Sequence, residues 1–324
     1  MRRPLPLLAF GALAALAAIA PFLVSQFRAQ QFAYVAIYLI AILGLNILTG
    51  YTGQISLGHG AFMAVGGYTT AILVADYGIR DLYTIPLAAL VAGAAGLLFG
   101  PPALRLTGLY LSLATFAIAV ATPAVIKKFE GFTGGSSGIN MFGKEELTGS
   151  LKGVTLFGQT LSFNDWLYAL CTTIAFVLYA VAWLLLRGRT GRAFRALRDS
   201  DTAAVSFGVD LARYKTLAFG VSAAYAGVAG ALFAIATTFV NPDTFPVTLS
   251  IFLLVGVVVG GLGSLSGVLV GAVLVQFLPL WSQDVSKEPG VPGVVYGLVL
   301  IALMFLLPGG VSGLLARIRG IFTR

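Results

Sequence analysis

Residues 187–215 read RGRTGRAFRALRDSDTAAVSFGVDLARYK, the densest run of charge in an otherwise apolar chain. Arg187, Arg189, Arg192, Arg195, Arg198, Arg213 and Lys215 supply seven basic side chains against three acidic ones, Asp199, Asp201 and Asp210. The sequence before it ends LYAVAWLLL and the sequence after it begins TLAFGVSAAYAGVAGALFA. A compact basic helix between two membrane spans offers a grip to a partner on the cytoplasmic side.

The flanking hydropathy extends over the whole chain. Of 324 residues, 58% are hydrophobic and only 10% charged, against about 25% charged in a soluble domain. Such a surface does not mainly face water, and the expected class is an all-α polytopic membrane protein. The net charge of +8 sits in short inter-span loops and at the termini, where the positive-inside rule places it. No aromatic-interleaved basic patch stands on a soluble domain, which argues against a nucleic-acid partner. Cys171 is the one cysteine and lies in an apolar run, so neither a disulfide framework nor a thiolate metal site follows from this chain alone. The 40 glycines suit helices packed closely through small residues in lipid.

About ten transmembrane or re-entrant helices are expected, at residues 5–24, 32–48, 60–75, 83–100, 108–126, 165–186, 216–239, 248–262, 267–281 and 291–307. The first follows Arg2 and Arg3 and also reads as a signal peptide with an Ala18-Ile19-Ala20 cleavage-like site, but it has the length of a full span. The shorter, Gly- and Pro-rich segments read as broken or re-entrant helices, tolerated at membrane depth only when buried in protein. With the N-terminus inside, alternation brings residues 187–215, Arg105 and the C-terminal Arg317, Arg319 and Arg324 to the cytoplasmic face. The loop at 127–165 falls outside with balanced charge. The excess of basic residues thus lands on one side. The outer loop carries FTGGSSGI, either a plain surface turn or a docking surface at the outer mouth.

Enzyme chemistry finds no constellation here. His59 is the sole histidine, which excludes His-pair metal sites. No carboxylate pair falls within a span, since Asp76, Asp81, Asp165, Asp243 and Asp284 all lie at segment ends. That absence also disfavours an ion-coupled secondary transporter, which usually shows an ionisable residue inside a span. No phosphate-binding glycine loop with its lysine is present, so any ATP would be used by another subunit, and no cofactor or metal is expected in this one. The one polar cluster at membrane depth is LNILTGYTGQISLGHGAF (45–62). Its dense glycines break a helix and free backbone groups, as in the discontinuous helices that frame transporter sites. Asn46, Thr49, Gln54, Ser56 and His59 are therefore candidates for a translocation path, against the alternative that they only bond packed helices together. Gly53-Gln54-Ile55-Ser56 is faintly echoed by Gly263-Ser264-Leu265-Ser266 in a second glycine-rich segment, 253–271.

In the basic loop, Arg192, Arg195 and Arg198 recur at helical spacing and share one face. Phe194, Leu197, Val205 and Phe207 supply apolar contacts. Asp199, Ser200 and Asp201 are N-cap types that restart a helix near Thr202, and Gly208 is placed to end it.

These residues resemble a known family. Thr202-Ala203-Ala204-Val205-Ser206-Phe207-Gly208 is similar to the EAA loop of ABC importer permeases, with Thr202 where that motif carries Glu. GRAFRALRDSDTAAVSFGVDLARYKTLAFGVSAAYAGVAGALFA, LTGYTGQISLGHGAFMAVGGY, PALRLTGLYLSLATFAIA, TGGSSGI and NPDTFPVTLSIFLLVGVVVGGLGSLSGVLVGA, in order, resemble the LivM-type permeases for branched-chain amino acids.

The resemblance implies ABC importer permease architecture, with residues 1–324 as a single transmembrane permease domain and 187–215 as its cytoplasmic coupling loop. It implies a non-enzymatic subunit of a bacterial-type inner membrane, with both termini cytoplasmic. The implied partners are a sister permease, two cytoplasmic ATPase subunits and an external substrate-binding protein. Arg192, Arg195, Arg198, Asp201, Thr202, Ala203, Ala204 and Gly208 would then couple to the ATPases. The implied cargo is a branched-chain or other hydrophobic amino acid, with short amides or urea as the alternative within the class. A secondary transporter, or an intramembrane enzyme or structural subunit, would use the same loop as an ordinary cytoplasmic connection.

Overall fold

The computed structural model describes residues 26–314 apart from 107, 145, 148–154, 157, 158, 161, 286, 287, 289 and 308. The expected first span and the C-terminal arginines lie outside the described residues. Helix α1 is Gln26–Leu45 and runs into a π-helical turn, Asn46–Gly50. Then come α2, His59–Ala75, α3, Asp81–Ala103, and α4, Leu109–Lys128. After the outer loop, α5 is Phe163–Arg187, begun by a capping box in which Ser162 and Asp165 satisfy each other's backbone N–H groups. The basic loop forms α6, Arg189–Asp199, and α7, Asp201–Ser206. Helix α8, Leu211–Thr237, α9, Val247–Gly260, α10, Leu265–Val285, and α11, Val291–Leu306, complete the chain.

Among the described residues eight helices are long and apolar enough to cross a membrane, and α2 is a shorter apolar helix of 17 residues. Every segment expected between 32 and 307 therefore has its helix. The described strands are two-residue pieces: β1, Ile139–Asn140, β2, Thr155–Leu156, β3, Gln159–Thr160, and β4, Phe239–Val240. They pair antiparallel as β1 with β4 and β2 with β3.

The bundle is organised around α8, which packs on α3, α2 and α1 and is buried along most of its length. Lipid supplies no hydrophobic drive for this, so close van der Waals fit must hold the helices together. Glycines provide it. A methyl group added at Gly66 of α2 would strike the backbone of Gly227 in α8, and one at Gly230 of α8 would strike the backbone of Met63. Gly96 of α3 likewise faces Ala223. By contrast α4 and α11 expose many large side chains, among them Leu109, Tyr110, Leu113, Leu298 and Phe305, as faces turned to lipid or to a second subunit require.

Contacts between distant segments collect at two ends of the bundle. At one end the 139–140 strand pairs with 239–240, Met141 N–H donates to Thr238 O (2.8 Å) and Lys144 Nζ to Ala75 O (3.3 Å). At the other, Arg198 meets Gly50 and Asn46 meets Gly263.

Candidate functional site

The basic loop folds as two helices rather than one, broken at Ser200. Ser200 takes an extended backbone, and its Oγ accepts from Ala203 N–H, capping α7. Phe194 and Leu197 are buried and root α6 in the bundle, with Phe194 edge-on to Tyr214 of α8. Arg192 and Arg195 stay on the exposed face, and Arg195 donates to Leu186 O (3.3 Å). Asp201 pairs with Lys215 at the start of α8. Ala204 is buried, while Thr202 and Ala203 are exposed. Gly208 has φ +79°, with nothing near its Cα on the side a Cβ would occupy, and Val209 N–H returns to Ala204 O (3.0 Å) to close the turn. Val205 and Phe207, expected with Phe194 and Leu197 to supply apolar contacts, stand exposed instead. Phe207 is 87% exposed and Val205 51%.

Arg198 leaves this loop altogether. Its Nη1 donates to Gly50 O at 2.7 Å, a charge-assisted bond to the carbonyl end of the π turn, where the helix dipole favours a cation. Beside it, Asn46 Oδ1 accepts from Gly263 N–H (2.9 Å) and Asn46 Nδ2 donates to Ser264 O (3.2 Å). A Cβ at Gly50 would collide with the Asn46 side chain, and one at Gly263 would sit 2.5 Å from Arg198 Nη1. The basic loop, the end of α1 and the α9–α10 turn thus meet in one node.

The other candidates of the broken segment are packed around this node. Thr49 Oγ1 donates to Gln54 O (3.1 Å), Thr52 Oγ1 to Leu48 O (2.6 Å), and Gln54 Nε2 to Thr52 Oγ1 (2.8 Å). Ser56 Oγ accepts from Gly58 N–H (3.3 Å). His59 bonds the backbone of Ala41 through one ring nitrogen, and its Nε2 has no partner among the described residues. Asn46, Thr49, Ser56 and His59 are buried in this packing. Gln54, with Thr52, Arg198, Asp201 and Lys215, instead lines a polar cavity of about 260 Å³ between the broken segment, the α3–α4 turn and the basic loop. A second, apolar cavity of about 540 Å³ lies between α2, α3 and α4.

Against this geometry, the sequence profile described as branched-chain amino acid transport system / permease component matches residues 27–307, from the start of α1 to the end of α11. The chain belongs to this permease family. It is 37% identical to the high-affinity branched-chain amino acid transport system permease protein LivM of Escherichia coli, over 92% of this chain and 73% of the relative. The corresponding LivM of Salmonella typhimurium shows the same identity and coverage. The permease protein BraD of Pseudomonas aeruginosa is 25% identical over 85% of this chain and 91% of its own length. No solved structure matches. Family membership and the apolar helices together make the chain a transport permease component and a multi-pass inner-membrane protein.

In this permease, sequence reading missed the two partners that tie the broken segment to the rest, Gly263 and Ser264, which stand more than 200 residues from Asn46. The echo between 53–56 and 263–266 pointed at them, because both glycines adopt φ near +75° and both meet Arg198.

Proposed function

We propose that this chain is one of two membrane subunits of an ATP-driven importer for branched-chain or other hydrophobic amino acids. It works as one permease unit, and residues 187–215 are the loop through which it couples to two cytoplasmic ATPase subunits. Both termini face the cytoplasm, an orientation favoured by the basic loop. A sister permease completes the membrane path and an external binding protein delivers the cargo. ATP is used by the ATPase subunits, and this chain carries no cofactor of its own. The relatives' descriptions as branched-chain amino acid permeases support the cargo class.

One observation carries the coupling role: Val205 on a six-residue helix and Phe207 at its C-cap stand exposed just before Gly208, in a loop otherwise dense with charge. An exposed aromatic anchor rimmed by polar groups is the usual core of a protein interface. Arg192, Arg195, Thr202 and Ala203 form its rim, and the buried Ala204 sets the helix against the bundle. Arg198 and Asp201 act on the other side of the loop, passing its displacement to the π turn of α1 and to α8. The ATPases bias the permease by binding its two conformations unequally.

The test is purification of the tagged chain in mild detergent from its own membrane, with partners identified by mass spectrometry. Two ATPases and a second permease are expected, and Phe207→Ser should release the ATPases while the permease pair stays together. A wild-type chain that purifies alone from detergent known to preserve such complexes overturns the reading. Gly208→Ile, which forces a β-branched residue to φ +79°, should leave ATP hydrolysis running with uptake lost.

A further inference from the structure

The cavity between α2, α3 and α4 takes no part in the coupling geometry. Its wall is almost wholly hydrocarbon, with room left by Ala64 and Val65 of α2, Ala95 of α3 and Ala121 of α4. Thr69, Thr122 and Thr133 also line it, but each hydroxyl already donates at 2.7 Å to a carbonyl nearby in the chain, Val65, Ile118 and Ile126 respectively. The rings of Phe62 and Phe99 meet edge to face, 6.2 Å apart, at the end nearer the broken segment. Beyond that pair lies the polar cavity of Gln54 and Arg198. The far end reaches Phe132 and Thr133 of the outer loop.

Tyr68 is the exception in this wall. It is 5% exposed, and its hydroxyl has no hydrogen-bond partner among the described residues. A buried hydroxyl without a partner is rare in native structures and calls for an absent ligand or another explanation. The Asp243 carboxylate, on the short helical turn Pro242–Thr244 before α9, lies within electrostatic reach of this phenol. The wall of an apolar chamber therefore holds a free donor, while Asp243, itself exposed, stands outside the lining.

We propose that this cavity receives the aliphatic side chain of an amino-acid cargo, with the cargo's α-carboxylate accepting from Tyr68. The proposal rests on the importer reading above and adds where the side chain is read. The volume falls in the usual range of small-molecule sites, about 300–1,000 Å³. A lipid acyl chain would fit the same wall and its ester carbonyl could accept from Tyr68, but an amino acid brings a charged carboxylate, the stronger acceptor, and an ammonium group suited to the Asp243 charge. With Phe62 against Phe99, the chamber is shut toward the basic loop.

The test uses the complete importer, reconstituted in liposomes with its ATPases and binding protein, and compares uptake of leucine with uptake of alanine. Ala121→Leu fills the chamber from α4 and should lower the leucine-to-alanine ratio about tenfold, the scale on which a hydrophobic pocket discriminates methylene groups. Val120→Phe, on an exposed face of the same helix that does not line the cavity, should leave the ratio unchanged. Tyr68→Phe should reduce uptake of both amino acids about fivefold at unchanged thermal stability. An unchanged ratio in Ala121→Leu, with a wild-type importer that carries both amino acids, overturns the inference and leaves the importer reading standing. Lipid retained by wild type and lost from Ala121→Leu, by native mass spectrometry, with the ratio unmoved would identify an acyl-chain site instead. A wild-type complex that carries neither amino acid removes the importer reading and the inference with it. Tyr68→Phe that lowers stability but not uptake per folded complex also counts against the zwitterion.

Discussion

Gly53 and Gly263 stand in two glycine-rich breaks with φ of +73° and +75°, and both lie against Arg198, yet the two breaks are held in different ways. The first, between α1 and α2, is wide. Its backbone is tied by side-chain hydroxyls, those of Thr49, Thr52, Ser56 and Thr115, and by Ser250, whose Oγ accepts from Gly60 N–H at 2.9 Å. The second, between α9 and α10, is a tight turn. Its walls are backbone against backbone, because a Cβ at Gly267 would strike Gly260 and one at Gly271 would strike Gly256. The same residue types thus build a segment of exchangeable hydrogen bonds in one place and a closed hinge in the other. Where these groups are buried, as at Asn46 and Thr49, a lost bond leaves an unpaired group.

The comparison can be broken in order of expected effect. Gly267→Val should do most damage, destabilising the detergent-solubilised protein by about 3 kcal/mol or more, because backbone cannot yield as a side chain can. Thermal melting near wild type would show that the hinge is looser than its contacts. Asn46→Ala should cost about 2 kcal/mol by leaving Gly263 N–H and Ser264 O without their partner. Limited proteolysis would then show the α9–α10 turn opening first, and no change there would separate the two breaks. Arg198→Met should cost about 1.4 kcal/mol, seen in the assembled importer as a tenfold loss of uptake per ATP hydrolysed. Equal loss of hydrolysis and uptake would make Arg198 a contact of the ATPase rather than a link to Gly50. The smallest effect belongs to His59→Phe, which loses only the bond to Ala41 at similar volume. About 1 kcal/mol of stability and nearly normal uptake are expected, and abolished uptake would return this histidine to the translocation path.

Much of this was legible in the chain. The apolar runs at 32–48 and 216–239 became α1 and α8 because little but a membrane helix satisfies the backbone of such sequences. Ser200 as a cap and Gly208 as a stop were readable because capping is local chemistry. The direction in which Phe207 points was not, since the break at Ser200 turns α7 away from the face of α6 that carries Phe194. Nor was the apolar chamber. Ala64, Ala95 and Ala121 look like ordinary packing residues, and only the mutual placement of three helices decides whether small side chains close a gap or leave one. Tyr68 reads as core for the same reason. Its missing partner exists only in three dimensions.

The glycine contacts that fix α8 against α2 and α3 also limit how this protein can move. Helices touching through Gly66, Gly227 and Gly230 have no side-chain layer to shear, so α2, α3 and α8 travel as one rigid block. Two walls of the chamber belong to that block. The third, α4, lies outside that glycine-packed block and turns at Gly108, whose positive φ precedes its first residue. Any opening of the chamber falls to α4 alone, a single shutter hung on a glycine beside the basic loop.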